Sequence, residues 1–313
     1  MSGSKGGTVV LSDETQRVMN RREFIAGTTS GVVGAVAMGA AVTAQAPPAA
    51  PAVPAAAAQP AAAAGRVFYS AISGETVQMR GHNGDLIDAY VARPAGAGRF
   101  PGVVVVHHMP GWDEPTIEIT RRFAQHGYQA ICPNLHFREG KATPEANSAS
   151  VRAGGGMPDN RTMGDIDGAI RYLRAMRGLN GKVGIIGYCS GGRQVYLAAC
   201  TLKGIDAAVA CYPGGVGAGS AGLSERQPVD PLDLTKDMNC PLLGIFGKED
   251  KRPSQEHVAR MEAELTKFAK THELVSFDGA GHSIFAIDRA DYRPLVAQEG
   301  WKRIFGWYEK YLA

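Results

Sequence analysis

The chain has 313 residues, 44% of them hydrophobic, and its 33 Lys plus Arg nearly balance its 30 Asp plus Glu, for a formal charge of +3. That charge is not gathered into basic stripes with interleaved aromatics, which excludes nucleic acid as an expected partner. With 40 glycines beside so large an apolar fraction, the composition suits one α/β domain with many tight turns between short strands.

In chain order, residues 1–44 read as an address. Asn20-Arg21-Arg22-Glu23-Phe24-Ile25 precedes a Gly/Ala-rich apolar run over 31–44 and then small residues suited to a signal peptidase. This is the pattern of a twin-arginine export signal, with cleavage expected after Ala44. The apolar part is mild and interrupted by Gly27, Thr28, Thr29, Ser30 and Gly31, so no stable membrane span is expected. The bland alternative is a tail with a chance Arg pair. Residues 45–65 are almost all Ala and Pro, a composition that cannot bury a core and reads as an extended tether. The folded domain is therefore expected over 66–313, its place periplasmic or otherwise exported, and its partner during export the twin-arginine translocase.

From Val67 onward, β-rich runs alternate with amphipathic helical patterns, the signature of an α/β fold with a mostly parallel sheet covered on both faces. About eight strands are predicted. The clearest lie over 102–107, 128–132, 183–187, 207–211, 242–247 and 273–277, several of them continuous apolar runs as buried parallel strands are. Helices are predicted over 116–125 before Gly127, over 161–176 behind the cap candidates Asp159 and Asn160, over 254–270, and near 300–311. No internal repeat, phosphate loop or metal-ligand spacing occurs, so no metal or other cofactor is expected and the chemistry falls to side chains.

The strongest motif is Gly187-Tyr188-Cys189-Ser190-Gly191-Gly192, placed between the strand run Val183-Gly184-Ile185-Ile186 and an apolar helix beginning near Arg193. This is a nucleophile elbow with cysteine at its tip, and Gly187 and Gly191 let strand and helix approach. The sulfur then faces a helix N-terminus, whose free N–H groups favour a thiolate. The alternatives are a buried structural Cys in a Gly-rich turn, or Ser190 as nucleophile, one residue past the tip. Five cysteines in an exported chain is an odd number, so at least one thiol stays free or pairs with another chain, and Cys189 is the candidate for the free one. Cys132, Cys211 and Cys240 lie in or beside apolar strand runs, where buried inert thiols are the rule. If Cys200 shares a helix with Cys189, eleven residues separate them by roughly 16 Å, too far for a disulfide.

A thiol nucleophile needs a base, and the base an orienting group, each on a loop after a later strand. His282 in Gly279-Ala280-Gly281-His282-Ser283 and Asp250 closing Gly247-Lys248-Glu249-Asp250 fill those places, with Glu249 and Asp278 as alternatives to Asp250.

From about Gly74 to Leu312 the chain resembles the dienelactone hydrolases. The resemblance rests on Gly187-Tyr188-Cys189-Ser190-Gly191-Gly192, on Gly279-Ala280-Gly281-His282-Ser283, on Lys182-Val183-Gly184, and on Gly127-Tyr128-Gln129-Ala130-Ile131-Cys132-Pro133-Asn134-Leu135. It implies an α/β-hydrolase fold and a triad of Cys189, Asp250 and His282. It also implies an oxyanion hole from the backbone N–H groups of Ser190 and Met109, and a small-molecule ester or lactone as substrate. Where the family has a Glu contacting the thiol, His107-His108-Met109-Pro110-Gly111-Trp112 places His108, which, if protonated, would attract a thiolate. A satisfied strand-end histidine is the alternative for both His107 and His108. The two family arginines that hold the carboxylate of dienelactone have no match; Ala286 stands at one place, with Arg289 nearby. Trp112, Phe137 and Arg138 are candidate pocket residues.

The expected reaction is attack of the Cys189 thiolate on an ester or lactone, with a thioester acyl-enzyme hydrolysed by water activated at His282. Two other classes are carried forward: a non-catalytic ligand-binding protein on a hydrolase fold, and a thiol-redox protein cycling through sulfenic acid at Cys189.

Overall fold

A computed structural model of the protein describes residues 68–140, 143–289 and 292–313. The segments read as export signal and tether lie outside the described residues. The strands are β1 (Ile72–Arg80), β2 (Leu86–Pro94), β3 (Phe100–Val106), β4 (Gln129–Pro133), β5 (Leu179–Tyr188), β6 (Ala207–Cys211), β7 (Leu242–Gly247) and β8 (His272–Phe277). Between them run α1 (Glu114–Gln125), α2 (Pro144–Ala153), α3 (Asp159–Ala175), α4 (Ser190–Thr201) and α5 (Gln255–Lys267), and α6 (Pro294–Leu312) follows β8.

All eight strands form one sheet in the order β1-β2-β4-β3-β5-β6-β7-β8. β1 and β2 pair antiparallel, β2 runs antiparallel to β4, and every other pairing is parallel. Alternation along β3 shows why both faces are covered. Val104 and Val106 join a core with Ile185, Val195, Tyr196, Ile166 and Leu265, under α3, α4 and α5. Val103 and Val105 face the other way, against Phe123, Ile186, Val209, Trp301, Phe305 and Tyr308, under α1 and α6. Each such fully buried aliphatic side chain contributes about 1.5–3 kcal/mol. The parallel pairing brings the C-terminal ends of β3 to β8 to one edge, where open α/β sheets build their sites.

The elements expected from sequence are present, with displaced ends. α1 starts two residues early because Asp113 is its cap, its Oδ1 accepting the Thr116 N–H at 3.0 Å. α3 starts at Asp159, so Asp159 lies inside the helix and is not a cap. Its carboxylate is turned instead to Arg193 and Gln194. α4 starts at Ser190 rather than near Arg193. α5 stops at Lys267, since Ala269 turns out of helix at φ 51 and Lys270 Nζ donates to the carbonyls of Lys236 and Met238. α6 begins at Pro294, and Gly300, taken as its start, lies within it where the Phe285 ring leaves no room for a side chain. No helix among the described residues is long and apolar enough to cross a membrane.

Candidate active site

β5 ends at Tyr188 and α4 begins at Ser190, so the whole reversal falls on Cys189, at φ 55 and ψ −118. A residue with a Cβ is rarely held there, and the cost, of order 1–3 kcal/mol, must be met by the surroundings. Two glycines meet it by permitting close approach. A Cβ on Gly187 would lie 2.3 Å from the Gly191 carbonyl oxygen, and one on Gly191 would lie 2.4 Å from that of Val106. The Cys189 N–H donates to the Cys211 carbonyl at 3.0 Å, tying the turn to β6. The thiol is half-buried at the N-terminus of α4.

His282 follows β8 and Asp250 follows β7. Nδ1 of His282 is 2.7 Å from Asp250 Oδ2, and Asp250 Oδ1 accepts the Arg252 N–H at 2.8 Å. The loop carrying His282 crosses directly over β7, because a Cβ on Gly247 would meet the Ala280 carbonyl oxygen at 2.3 Å. Burial disfavours the imidazolium. The hydrogen bond to Asp250, then the hydrogen bond to and the charge of Cys189, outweigh it and raise His282 from its ordinary 6.5 to about 10. Cys189, His282 and Asp250 therefore meet, whereas the alternatives to Asp250 do not: Glu249 is exposed and Asp278 pairs with Lys248 at 2.9 Å. The other four cysteines are buried free thiols. Burial pushes Cys200 and Cys240 up to about 12, and Cys132 and Cys211 well above the usual thiol range.

Beyond β3 the two histidines part company. His107 is fully buried, and its Nε2 accepts the Leu135 N–H at 3.1 Å, so Nδ1 carries the proton and donates to the His108 carbonyl at 2.8 Å. Burial and then the neighbouring His136 push it down to about 3, and it is a neutral, backbone-satisfied residue. His108 is instead held by a side chain, its Nε2 lying 2.7 Å from Asp113 Oδ2. The Asp113 carboxyl sits at about 2: burial raises it, but the bond from His108 and those from Thr116 lower it further. Met109 follows on a turn closed by the Gly111 N–H on the His108 carbonyl at 3.0 Å, and among the described residues no acceptor takes the Met109 N–H. The Ser190 N–H opens α4, where helical N–H groups have no intrahelical acceptor.

The remaining pocket candidates are engaged in packing. Trp112 donates its indole N–H to the Cys132 carbonyl at 3.1 Å. Phe137 packs on the core beneath α3 and α4. Arg138 clasps Asp165 at 2.8 and 3.1 Å and Asp85 at 2.8 Å, so each of its guanidinium nitrogens is already bonded to a carboxylate. Arg289 is half-exposed, with Asp288 at 3.9 Å. Sequence reasoning missed Tyr212, whose ring stands edge-on to His282 at 4.9 Å from a backbone φ of 37. Nothing local marks it. It also missed Asp113 as the partner of His108, although Asp113-x-x-Thr116 is a legible helix start. Among the described residues no group of three or more His, Cys, Asp or Glu side chains is placed to hold a metal ion.

Residues 87–312 match the family described as "Dienelactone hydrolase family". A protein of Salmonella typhimurium named "Putative carboxymethylenebutenolidase" is 35% identical over 231 residues, covering 73% of this chain and 84% of that one. One of the same name from Methylorubrum extorquens is 34% identical, covering 72% and 77%. The crystal structure titled "Putative Dienelactone Hydrolase" from Klebsiella pneumoniae superposes with a TM-score of 0.70 at 32% identity, over 77% of this chain and all of that one. The chain belongs to the dienelactone hydrolase family.

Proposed function

We propose that the protein hydrolyses an ester or lactone of a small molecule through a thioester on Cys189. The observation that carries this reading is the contact of one imidazole, His282, with both the Cys189 thiol and the buried Asp250 carboxylate. With Nδ1–H committed to Asp250, Nε2 is the nitrogen left to take the proton from sulfur. An imidazolium that persists to about 10 is the counter-charge a thiolate needs.

The thiolate attacks the carbonyl carbon, and the carbonyl π electrons move to oxygen. The N–H groups of Ser190 and Met109 donate to that oxyanion, each such donor being worth about 3 kcal/mol. Collapse breaks the bond to the alkoxy oxygen, which takes the proton from His282; in a lactone that oxygen stays tethered to the acyl group. His282, neutral again, removes a proton from water as it attacks the thioester. The second collapse returns sulfur as thiolate and releases the carboxylic acid. With no arginine pair to hold a substrate carboxylate, and Arg138 spent on Asp165 and Asp85, uncharged esters and lactones fit better than dienelactone.

Turnover of a panel of p-nitrophenyl esters and lactones, with mass spectrometry of acylated Cys189, tests the reading. An acyl adduct on any other residue, or turnover undiminished in Cys189→Ala, overturns it. We also propose that the domain acts outside the cytoplasm, after export by the twin-arginine pathway, on the strength of Arg21-Arg22 and the mild apolar run behind them.

A further inference from the structure

Arg193 lies one turn into α4 and is only 3% exposed. Its backbone N–H donates to the Cys189 carbonyl at 3.2 Å. Its Nη1 and Nη2 meet Asp159 Oδ1 and Oδ2 at 2.6 and 3.1 Å, and Nη2 also donates to the Val229 carbonyl at 2.8 Å. The next residue, Asp230, is 5% exposed and gathers backbone N–H groups from a loop the chemistry above does not use. Its Oδ1 accepts those of Gly217 at 2.8 Å and Leu232 at 3.1 Å, and its Oδ2 accepts that of Gly219 at 2.8 Å. Charge-assisted bonds of this kind are the strong ones. They are needed here, because Gly215, Gly217 and Gly219 hold φ of 90, 74 and 60 and glycine brings no stiffness of its own.

The loop so held borders both reacting side chains. It leaves β6 at the Cys211 carbonyl that takes the Cys189 N–H, and the Tyr212 ring stands against His282. A Cβ on Gly192 would lie 3.1 Å from Pro213 Cα, and one on Gly215 would lie 3.3 Å from Arg193 Cδ. Residues 211–215 thus run along the first turn of α4, on the sheet edge where the acyl carbonyl must sit, and 217–219 continue the same loop to Asp230.

We propose that Asp230 is a specificity-determining positioning residue, holding residues 213–219 through the Gly217 and Gly219 amides as one wall of the acyl pocket. The inference rests on the thiol-hydrolase reading above. A wall of fixed position discriminates acyl groups by size, and one methylene is worth about tenfold or more when the fit is close. Asp230→Asn keeps the volume but sets an NH2 donor against one of the two glycine N–H groups, so the wall loosens.

The test compares wild type with Asp230→Asn on p-nitrophenyl acetate, butyrate and octanoate, alongside iodoacetamide alkylation of Cys189 and amide hydrogen exchange. The expected result is a rise of about tenfold in the octanoate-to-acetate ratio of kcat/KM, because a loosened wall admits the longer acyl chain, the alkylation rate staying within about twofold. The Gly217 and Gly219 amides lose protection while those of β5 keep theirs. An unchanged ratio with loosened amides overturns the proposal, as does a ratio that moves only in step with alkylation. If wild type forms no acyl adduct on Cys189, the hydrolase reading falls first and this one with it. Should Asp230→Asn not fold, Gly219→Ala perturbs the same loop, since its methyl meets no atom within 4 Å but disfavours φ 60. It must shift the ratio in the same direction.

Discussion

Asp250 and His282 are joined at 2.7 Å although the carboxylate is sealed, at 3% exposed, and the imidazole is 34% exposed. The sealed partner sets the tautomer of the open one. With Oδ1 held by the Arg252 N–H the carboxylate cannot turn away, so the proton stays on Nδ1. Asp250→Asn leaves the shape but lets the imidazole take the other tautomer, and kcat is expected to fall by about 10⁴ with the fold intact. Steady-state kinetics with circular dichroism checks it; a loss under about tenfold would show that Asp250 is not the orienting group.

The same contact shapes stability against pH. The folded value of His282, about 10, lies above its ordinary 6.5, so the contribution is fully present below 6.5 and is lost as pH rises through about 10. The stability advantage of wild type over Asp250→Asn is therefore expected to be greatest near neutrality and to shrink towards pH 10. Denaturant titrations across that range measure it, and an advantage that grows with pH contradicts the assignment.

Cys189→Ala is expected to abolish turnover and Cys189→Ser to keep little, because a hydroxyl is far harder to ionise. The strained backbone adds a stability test. At φ 55 and ψ −118 both Cys and Ala hold a Cβ where glycine needs none. Cys189→Gly should therefore be more stable than Cys189→Ala by about 1 kcal/mol, the reverse of the usual order inside an element. Equal midpoints in urea would place the strain elsewhere.

How much of this was legible depended on how local each signal was. β6 and β7 were read end to end because continuous apolar runs leave no choice of boundary. The elbow was legible because five consecutive residues carry both its turn and its close contacts. Asp250 was the first choice of carboxylate for His282, with Glu249 and Asp278 left open, since the three differ only in where β7 and β8 aim them. Arg138 read as a pocket residue because nothing near it announces Asp165, 1% exposed and 27 residues away, as a buried charge in need of a partner. The order of the Gly-rich loop after β6 was not legible, since it resides in Asp230, a dozen residues downstream.

Replacing Arg21 and Arg22 together by Lys is expected to leave the protein in the cytoplasm, because the twin-arginine receptor reads the guanidinium pair and not charge alone. Cell fractionation decides it. A Lys variant still processed and found outside the inner membrane would mean a signal of another kind.

The pairing of His108 with Asp113 changes what an imidazole at that place can do to the thiol. Even a protonated His108, bonded to this carboxylate at 2.7 Å, would make a pair of no net charge, so the attraction for thiolate expected of a lone protonated histidine would be cancelled at source. Iodoacetamide alkylation of Cys189 against pH is therefore expected to be superimposable for wild type and the double variant His108→Gln/Asp113→Asn, which removes both charges together. His282→Gln, which removes the imidazole that touches sulfur, displaces the curve to higher pH. A displaced curve for the double variant would show that the pair's field reaches the thiol after all. The structural role of the pair is measured separately. Asp113 is depressed from 3.8 to about 2, so its contribution is present above 3.8 and is lost as pH falls through about 2. Asp113→Asn is expected to unfold less steeply with acid than wild type over that interval. Asp113→Ala, which also loses the cap on Thr116, costs about 1 kcal/mol more at neutral pH. If Asn and Ala are equally stable, the cap contributes nothing and Asp113 serves His108 alone.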